Sequence, residues 1–121
     1  MRSSNTAGLR VDQQKLMPLT PAVFFILFAL ADGEKHGYAI MQQVASLSDR
    51  KVRMGPGTLY TTIQRLLLLA LIEETARGEK DERRRFYRLS RAGRVLLRAE
   101  IARMDAVLRI AQQKKLVPDA R

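Results

Sequence analysis

The 121-residue chain has no cysteine, no tryptophan, a single histidine, and only 12 acidic residues against 22 Lys and Arg. Without cysteine there is neither a disulfide framework nor a thiolate metal site, and a reducing compartment fits. One histidine, no paired acid motif and no phosphate-binding loop leave catalysis without a base, a nucleophile or a metal cluster. The sequence therefore predicts a non-enzyme with no metal and no cofactor. Long apolar runs are missing too. The longest, Ala22 to Ala31, has ten residues, about half of the ~20 that a bilayer span needs. No basic start followed by an apolar segment stands at the N-terminus. The expectation is a cytoplasmic protein with no membrane partner.

The shortage of acids leaves a formal net charge of +10, which favours a polyanionic partner, nucleic acid or an anionic membrane surface. The length suits one domain with a modest core. Residues 1–17 read as a mobile arm, since the first fifteen mix Ser, Asn, Thr, Gly, Gln and Arg without apolar periodicity. Thr20-Pro21 starts a helix that is apolar on every side through Ala31 and hence buried on every side. A second subunit or a central place in the chain's own core would each explain it. Asp32-Gly33 ends this helix. A second helix from about Gly37 to Leu47 buries Ile40 or Met41, Val44 and Leu47. His36 reads as a cap or packing residue, and Tyr38 as core with its hydroxyl near the surface. Asp49 to Met54 is a short polar connection in which Val52 offers a brief strand.

The stretch from Gly55 to Leu66 begins a helix at Pro56, where a missing N–H costs nothing. Leu59, Ile63, Leu66 and Ala70 make one apolar stripe. Thr58, Tyr60, Thr61, Gln64 and Arg65 form an opposite face of hydrogen-bonding groups with one charge, chemistry suited to phosphates and base edges. Leu68 falls on the polar side, to be covered by a subunit or ligand or left exposed. Ile72–Arg77 and Arg83–Leu89 read as a hairpin around Gly78–Glu82. Its second strand alternates Arg85, Tyr87 and Leu89 on one face with Arg84, Phe86 and Arg88 on the other. Glu73-Glu74 and Asp81-Glu82 look like solvated strand or turn residues. Nine cations between Arg77 and Arg98 against three acids supply more than half of the net charge, concentrated beside the Thr/Gln helix. Ser90 caps a last helix that runs to about Lys115. Leu97, Ile101, Met104, Leu108 and Ala111 form a heptad-like seam on it, fit to pack on its own domain or on a partner, and the partner is favoured.

Pro56-Gly57-Thr58-Leu59-Tyr60, His36-Gly37-Tyr38, and Arg84-Arg85-Phe86-Tyr87-Arg88-Leu89-Ser90 with Ala92-Gly93 resemble, in order and spacing, strings of PadR-family transcriptional regulators. The resemblance covers roughly residues 18 to 115. It implies a mostly α fold with a small β-hairpin wing: a winged helix-turn-helix over residues 18–90, a dimerisation helix over 91–116 and a tail over 117–121. Double-stranded DNA would be bound through Thr58, Tyr60, Thr61, Gln64 and Arg65 of the third helix and Arg83, Arg84, Arg85 and Arg88 of the wing. A homodimer would form through Phe24, Phe28, Leu97, Ile101, Met104 and Leu108. Repression by promoter occupancy and relief by a small-molecule effector follow from the family; aromatic and methionine chemistry would place such an effector between subunits near Phe24, Phe28 and Met104, unless these residues are simply core. The absence of Trp counts against a stacked planar ligand. The chain departs from the family at Thr61, often Pro, at Leu67–Leu69, usually charged, and at Ala70, usually Gly. The alternative is a winged-helix protein-interaction module without specific DNA binding.

Overall fold

The computed structural model describes residues 6–75 and 85–118. Among these, five helices and three short strands follow the order α1 (Val11–Gln14), α2 (Pro21–Ala29), β1 (Lys35–His36), α3 (Gly37–Leu47), α4 (Pro56–Leu68), β2 (Ile72–Glu74), β3 (Phe86–Leu89) and α5 (Arg91–Gln113). The fold is mostly α with a small antiparallel sheet of order β1-β3-β2. Side-chain caps set three helix starts. The Thr20 hydroxyl accepts from the Val23 N–H, His36 Nδ1 from the Ala39 N–H, and the Ser90 hydroxyl from the Gly93 N–H. Each satisfies a donor that a helix start otherwise leaves open.

α2 lies between α3 and α5. Val23, Phe24, Ile26, Leu27, Ala29 and Leu30 are buried within the chain, so of the two explanations for an all-apolar helix the central core position describes it. Phe28 reaches the surface, stacked on Phe24 with ring centroids 5.3 Å apart. The helix stops at Ala29, short of Asp32-Gly33, and a turn fills the interval. Ile40, Val44, Leu59, Ile63, Leu66, Leu71 and Leu96 complete the core at 0% exposure.

Several expectations are corrected. The N-terminal segment is not a free arm from Thr6 onward, because Leu9 joins the core and Gln13 is 2% exposed. Gln13 Nε2 and Arg10 Nη2 both donate to the Leu69 carbonyl, at 2.6 and 2.7 Å, so α1 closes the C-terminal end of α4. Tyr38 and Leu47 are exposed rather than buried. Val52 makes no strand; its N–H donates to the buried Ser48 hydroxyl. The third strand is Lys35–His36, paired with Tyr87 and Phe86. The hairpin strands are shorter than predicted, pairing Ile72 with Leu89, Glu73 with Arg88 and Glu74 with Tyr87.

Ala70 does not extend the buried stripe. It is exposed with φ 59°, and it ends α4 in a left-handed cap. The Leu71 N–H reaches the Leu66 carbonyl and the Ala70 N–H the Leu67 carbonyl, both at 3.0 Å, the paired bonds of a Schellman motif. The Ser90 hydroxyl then donates to the Ala70 carbonyl at 2.7 Å, tying this corner to the start of α5. Gly93 completes the joint, since a Cβ there would land on the Leu71 carbonyl oxygen. The Ala92-Gly93 string thus permits a close backbone approach.

α5 is anchored by its first three turns only. Leu96, Leu97, Ala99 and Glu100 are buried, whereas every residue from Ile101 to Ile110 is exposed. Glu100, 1% exposed, accepts from the Leu19 N–H at 3.2 Å and takes two hydrogen bonds from Arg103 at 2.9 Å. The Arg103 hydrogen bonds, helped by the Leu19 N–H and opposed by burial, hold its carboxyl below the ordinary carboxylate value.

Candidate nucleic-acid interface

α4 presents a narrow inward stripe of Leu59, Ile63 and Leu66 and an outward face on which Thr58, Tyr60, Thr61, Gln64 and Arg65 are all exposed. No acid lies anywhere on this helix. Thr62 is already engaged, donating to the Thr58 carbonyl at 2.8 Å. The N-terminal end is open: Gly55 makes no side-chain cap, and nothing lies within 4 Å of a Cβ built on Gly55 or Gly57. Its free N–H groups and the positive end of the helix dipole therefore face solvent. Leu68 is 83% exposed at the other end.

The helix is set against α3 by one tight contact. A Cβ on Gly37 would strike the Tyr60 hydroxyl, so the glycine of His36-Gly37-Tyr38 gives the Tyr60 ring its place. Tyr60 is accordingly half-committed to packing at 42% exposure. Tyr38 stands at the surface one residue further on. Arg50, Lys51 and Arg53 are exposed in the connection that leads into α4. Sequence alone assigns Arg50, Lys51 and Arg53 no role and places Tyr38 in the core; three cations within four residues make this connection locally basic.

In the sheet, Tyr87 and Leu89 face inward and Arg88 outward, as alternation requires. Burial, reinforced by Glu74, pushes the Tyr87 hydroxyl above the ordinary tyrosine value. Arg88 pairs with Glu73 across the strands at 3.1 Å, and Arg85 with Glu74 at 3.6 Å. Glu73 and Glu74 therefore hold wing cations rather than standing alone. Exposed pairs of this type contribute little, so both guanidinium groups can exchange a carboxylate for a phosphate. Arg83, Arg84 and the turn Gly78–Glu82 lie outside the described residues.

The expected dimer residues divide into two groups. Phe24 at 8% and Leu97 at 4% exposure belong to the chain's own core, which corrects their assignment. Phe28, Ile101, Met104 and Leu108 are 36–42% exposed, with Val107 and Ile110 more so. Of the three residues expected to line an effector pocket, only Phe28 and Met104 reach the surface. Among the described residues, no group of three or more His, Cys, Asp or Glu could hold a metal ion, and no helix is long and apolar enough to cross a membrane.

Residues 26–99 match the model of the transcriptional regulator PadR-like family. An uncharacterized 37.1 kDa protein of a Streptomyces fradiae transposon is 39% identical over 84 residues, 69% of this chain. The chain spans 23% of that protein's length. A transcriptional regulator of Mycobacterium tuberculosis is 36% identical over 84 residues, 69% of this chain and 76% of that protein. A PadR family transcription regulator from Clostridium difficile shares the fold, with a TM-score of 0.64 and 22% identity over 78% of this chain and 97% of that one.

Proposed function

The chain belongs to the transcriptional regulator PadR-like family, and from that premise we propose that it is a sequence-specific repressor acting as a homodimer on promoter DNA. One observation carries the reading. The exposed face of α4 holds Thr58, Thr61, Gln64 and Arg65 with no acid among them, beside a sheet that turns Arg88 outward and that exposed Arg85 leads into. Thr61 and Gln64 point farthest from the buried stripe and would meet base edges, Gln64 by bidentate contact with adenine and Thr61 by its methyl against thymine. Thr58, Tyr60 and Arg65 on the flanks would reach phosphates. Arg85 and Arg88, with Arg83 and Arg84, would hold phosphates or enter a narrow minor groove.

The dimer is inferred from α5. From Ile101 to Ile110 it presents Ile101, Met104 and Leu108 at heptad spacing, each about 40% exposed among the described residues. Phe28 of α2 would extend that surface. Two copies would place their α4 helices in successive major grooves about one turn, ~34 Å, apart, occluding the promoter. A small apolar effector between subunits, against Phe28 and Met104, would relieve repression by changing that spacing.

Footprinting on the DNA upstream of the chain's own gene, together with solution mass, tests the reading. Protection of two half-sites about one helical turn apart by a dimer is expected. Ile101→Asp with Leu108→Asp should give a monomer with weakened binding. A wild-type monomer at micromolar concentration, or no preference over random duplex, contradicts it and favours a protein-interaction module.

A further inference from the structure

A cavity of about 200 Å³ opens between the N-terminal segment and α4, lined by Lys15, Leu16, Leu19, Thr20, Val23 and Arg65. Two cations from elements fifty residues apart converge on it, and no carboxylate lines it. Among the described residues neither Lys15 nor Arg65 makes an ion pair. The Thr20 hydroxyl accepts from the Val23 N–H, which leaves its own hydrogen to donate outward.

The wall carrying Lys15 is fixed on both sides. Before it, Gln13 is buried against the Leu69 carbonyl; after it, the Leu19 N–H is held by buried Glu100. Lys15 is therefore held beside α4 rather than carried on a loose tail, which lowers the entropy lost when it engages an anion. Lys15 and Thr20 precede residues 26–99, the span matched by the family model, whereas Arg65 lies within it.

We propose that this cavity is a DNA phosphate clamp, in which Lys15 and Arg65, with the Thr20 hydroxyl, grip one backbone phosphodiester at the edge of the groove that α4 occupies. The inference rests on the DNA-binding reading above. A single phosphate accounts for two cations and a hydroxyl donor at one opening, while Leu19 and Val23 beneath them belong to the core. The clamp positions α4 and carries no sequence information.

The test is binding of the full chain to a random-sequence duplex and to promoter DNA across a salt series, with Lys15→Ala, Arg65→Ala, the double variant, and Lys114→Ala at the far end of α5 as control. All three positions are exposed, and matching circular dichroism and Tm verify folding. Lys15→Ala is expected to weaken both DNAs by a similar factor and reduce the slope of log K against log[salt] by about one. The double variant should lose less than the product of the two single losses, because one phosphate is shared. Lys114→Ala should leave the slope unchanged. An unchanged slope in Lys15→Ala, an equal drop in Lys114→Ala, or multiplicative losses in the double variant overturns the clamp while DNA binding stands. A Lys15-dependent rise of Tm in inorganic phosphate at constant ionic strength, without a change of slope, would assign the cavity to a free anion instead. Failure of the wild type to bind any duplex removes the DNA-binding reading and the clamp with it.

Discussion

Replacing Ala70 by glycine should stabilise the protein. Ala70 sits at φ 59° as the first residue beyond the cap of α4, and an L-residue with a Cβ in the left-handed region carries about 1–2 kcal/mol that glycine does not. Glycine gives back roughly 0.5–1 kcal/mol through the greater freedom of the unfolded chain. Ala70 is exposed, so its methyl forfeits no packing, and both Schellman hydrogen bonds run through backbone atoms that glycine retains. The net expectation is a gain of about 0.5–1 kcal/mol, or a Tm rise of a few degrees at about 4 °C per kcal/mol for a domain of this size. Urea titration followed by circular dichroism should show a higher midpoint at unchanged m. Lys115, with φ 65° at the end of α5, supplies an internal comparison. Its helix end is exposed, so Lys115→Gly should change the midpoint less. A lower midpoint for Ala70→Gly would refute the assignment of strain to this cap.

Gly93→Ala should cost at least ~2 kcal/mol, because the new methyl meets a backbone carbonyl that cannot move aside. Gly37→Ala meets only the tip of the Tyr60 ring, which can swing, so it should cost less; equal midpoints for the two variants would contradict this ranking. Arg103→Ala should destabilise at pH 7 by leaving the buried Glu100 carboxylate with only the Leu19 N–H. In the wild type the Glu100 carboxyl is held below its ordinary value of 4.5, so its contribution is present above that pH and lost as pH falls through the lower folded value. Without Arg103, burial dominates and raises it, so the deficit of Arg103→Ala should shrink as pH falls from 7 towards 4.5. A deficit independent of pH would show that the pair is not the cause.

Much of the fold follows from local signals of high information. Thr20, His36 and Ser90 act as caps because a short polar side chain before an apolar run satisfies helix N–H groups wherever the helix packs. The outward face of α4 follows from the spacing of Leu59, Ile63 and Leu66. Features that depend on distant partners were not legible. Lys35–His36 is a strand only because β3 passes beside it, and two residues carry no alternation. Gln13 and Glu100 look like surface residues by type, yet the Leu69 carbonyl and the Leu19 N–H bury them. Phe24 and Leu97 sit at the boundary between core and exposed seam, and periodicity gives a direction without saying how far along a helix the neighbouring elements extend. The glycines of His36-Gly37-Tyr38 and Ala92-Gly93 stood out in the sequence, but what approaches them, the Tyr60 ring and the Leu71 carbonyl, emerged only in three dimensions.

The central claim is that α4 reads sequence while the wing positions it, and Gln64→Ala tests it most directly. Binding of this variant and of Arg88→Ala should be compared with wild type on promoter and random duplexes across a salt series. Gln64→Ala is predicted to lose about 1–3 kcal/mol on the promoter site, much less on random DNA, and to keep the wild-type salt slope. Arg88→Ala is predicted to weaken both DNAs and lower the slope by about one. Equal loss of promoter and random binding in Gln64→Ala would contradict the account.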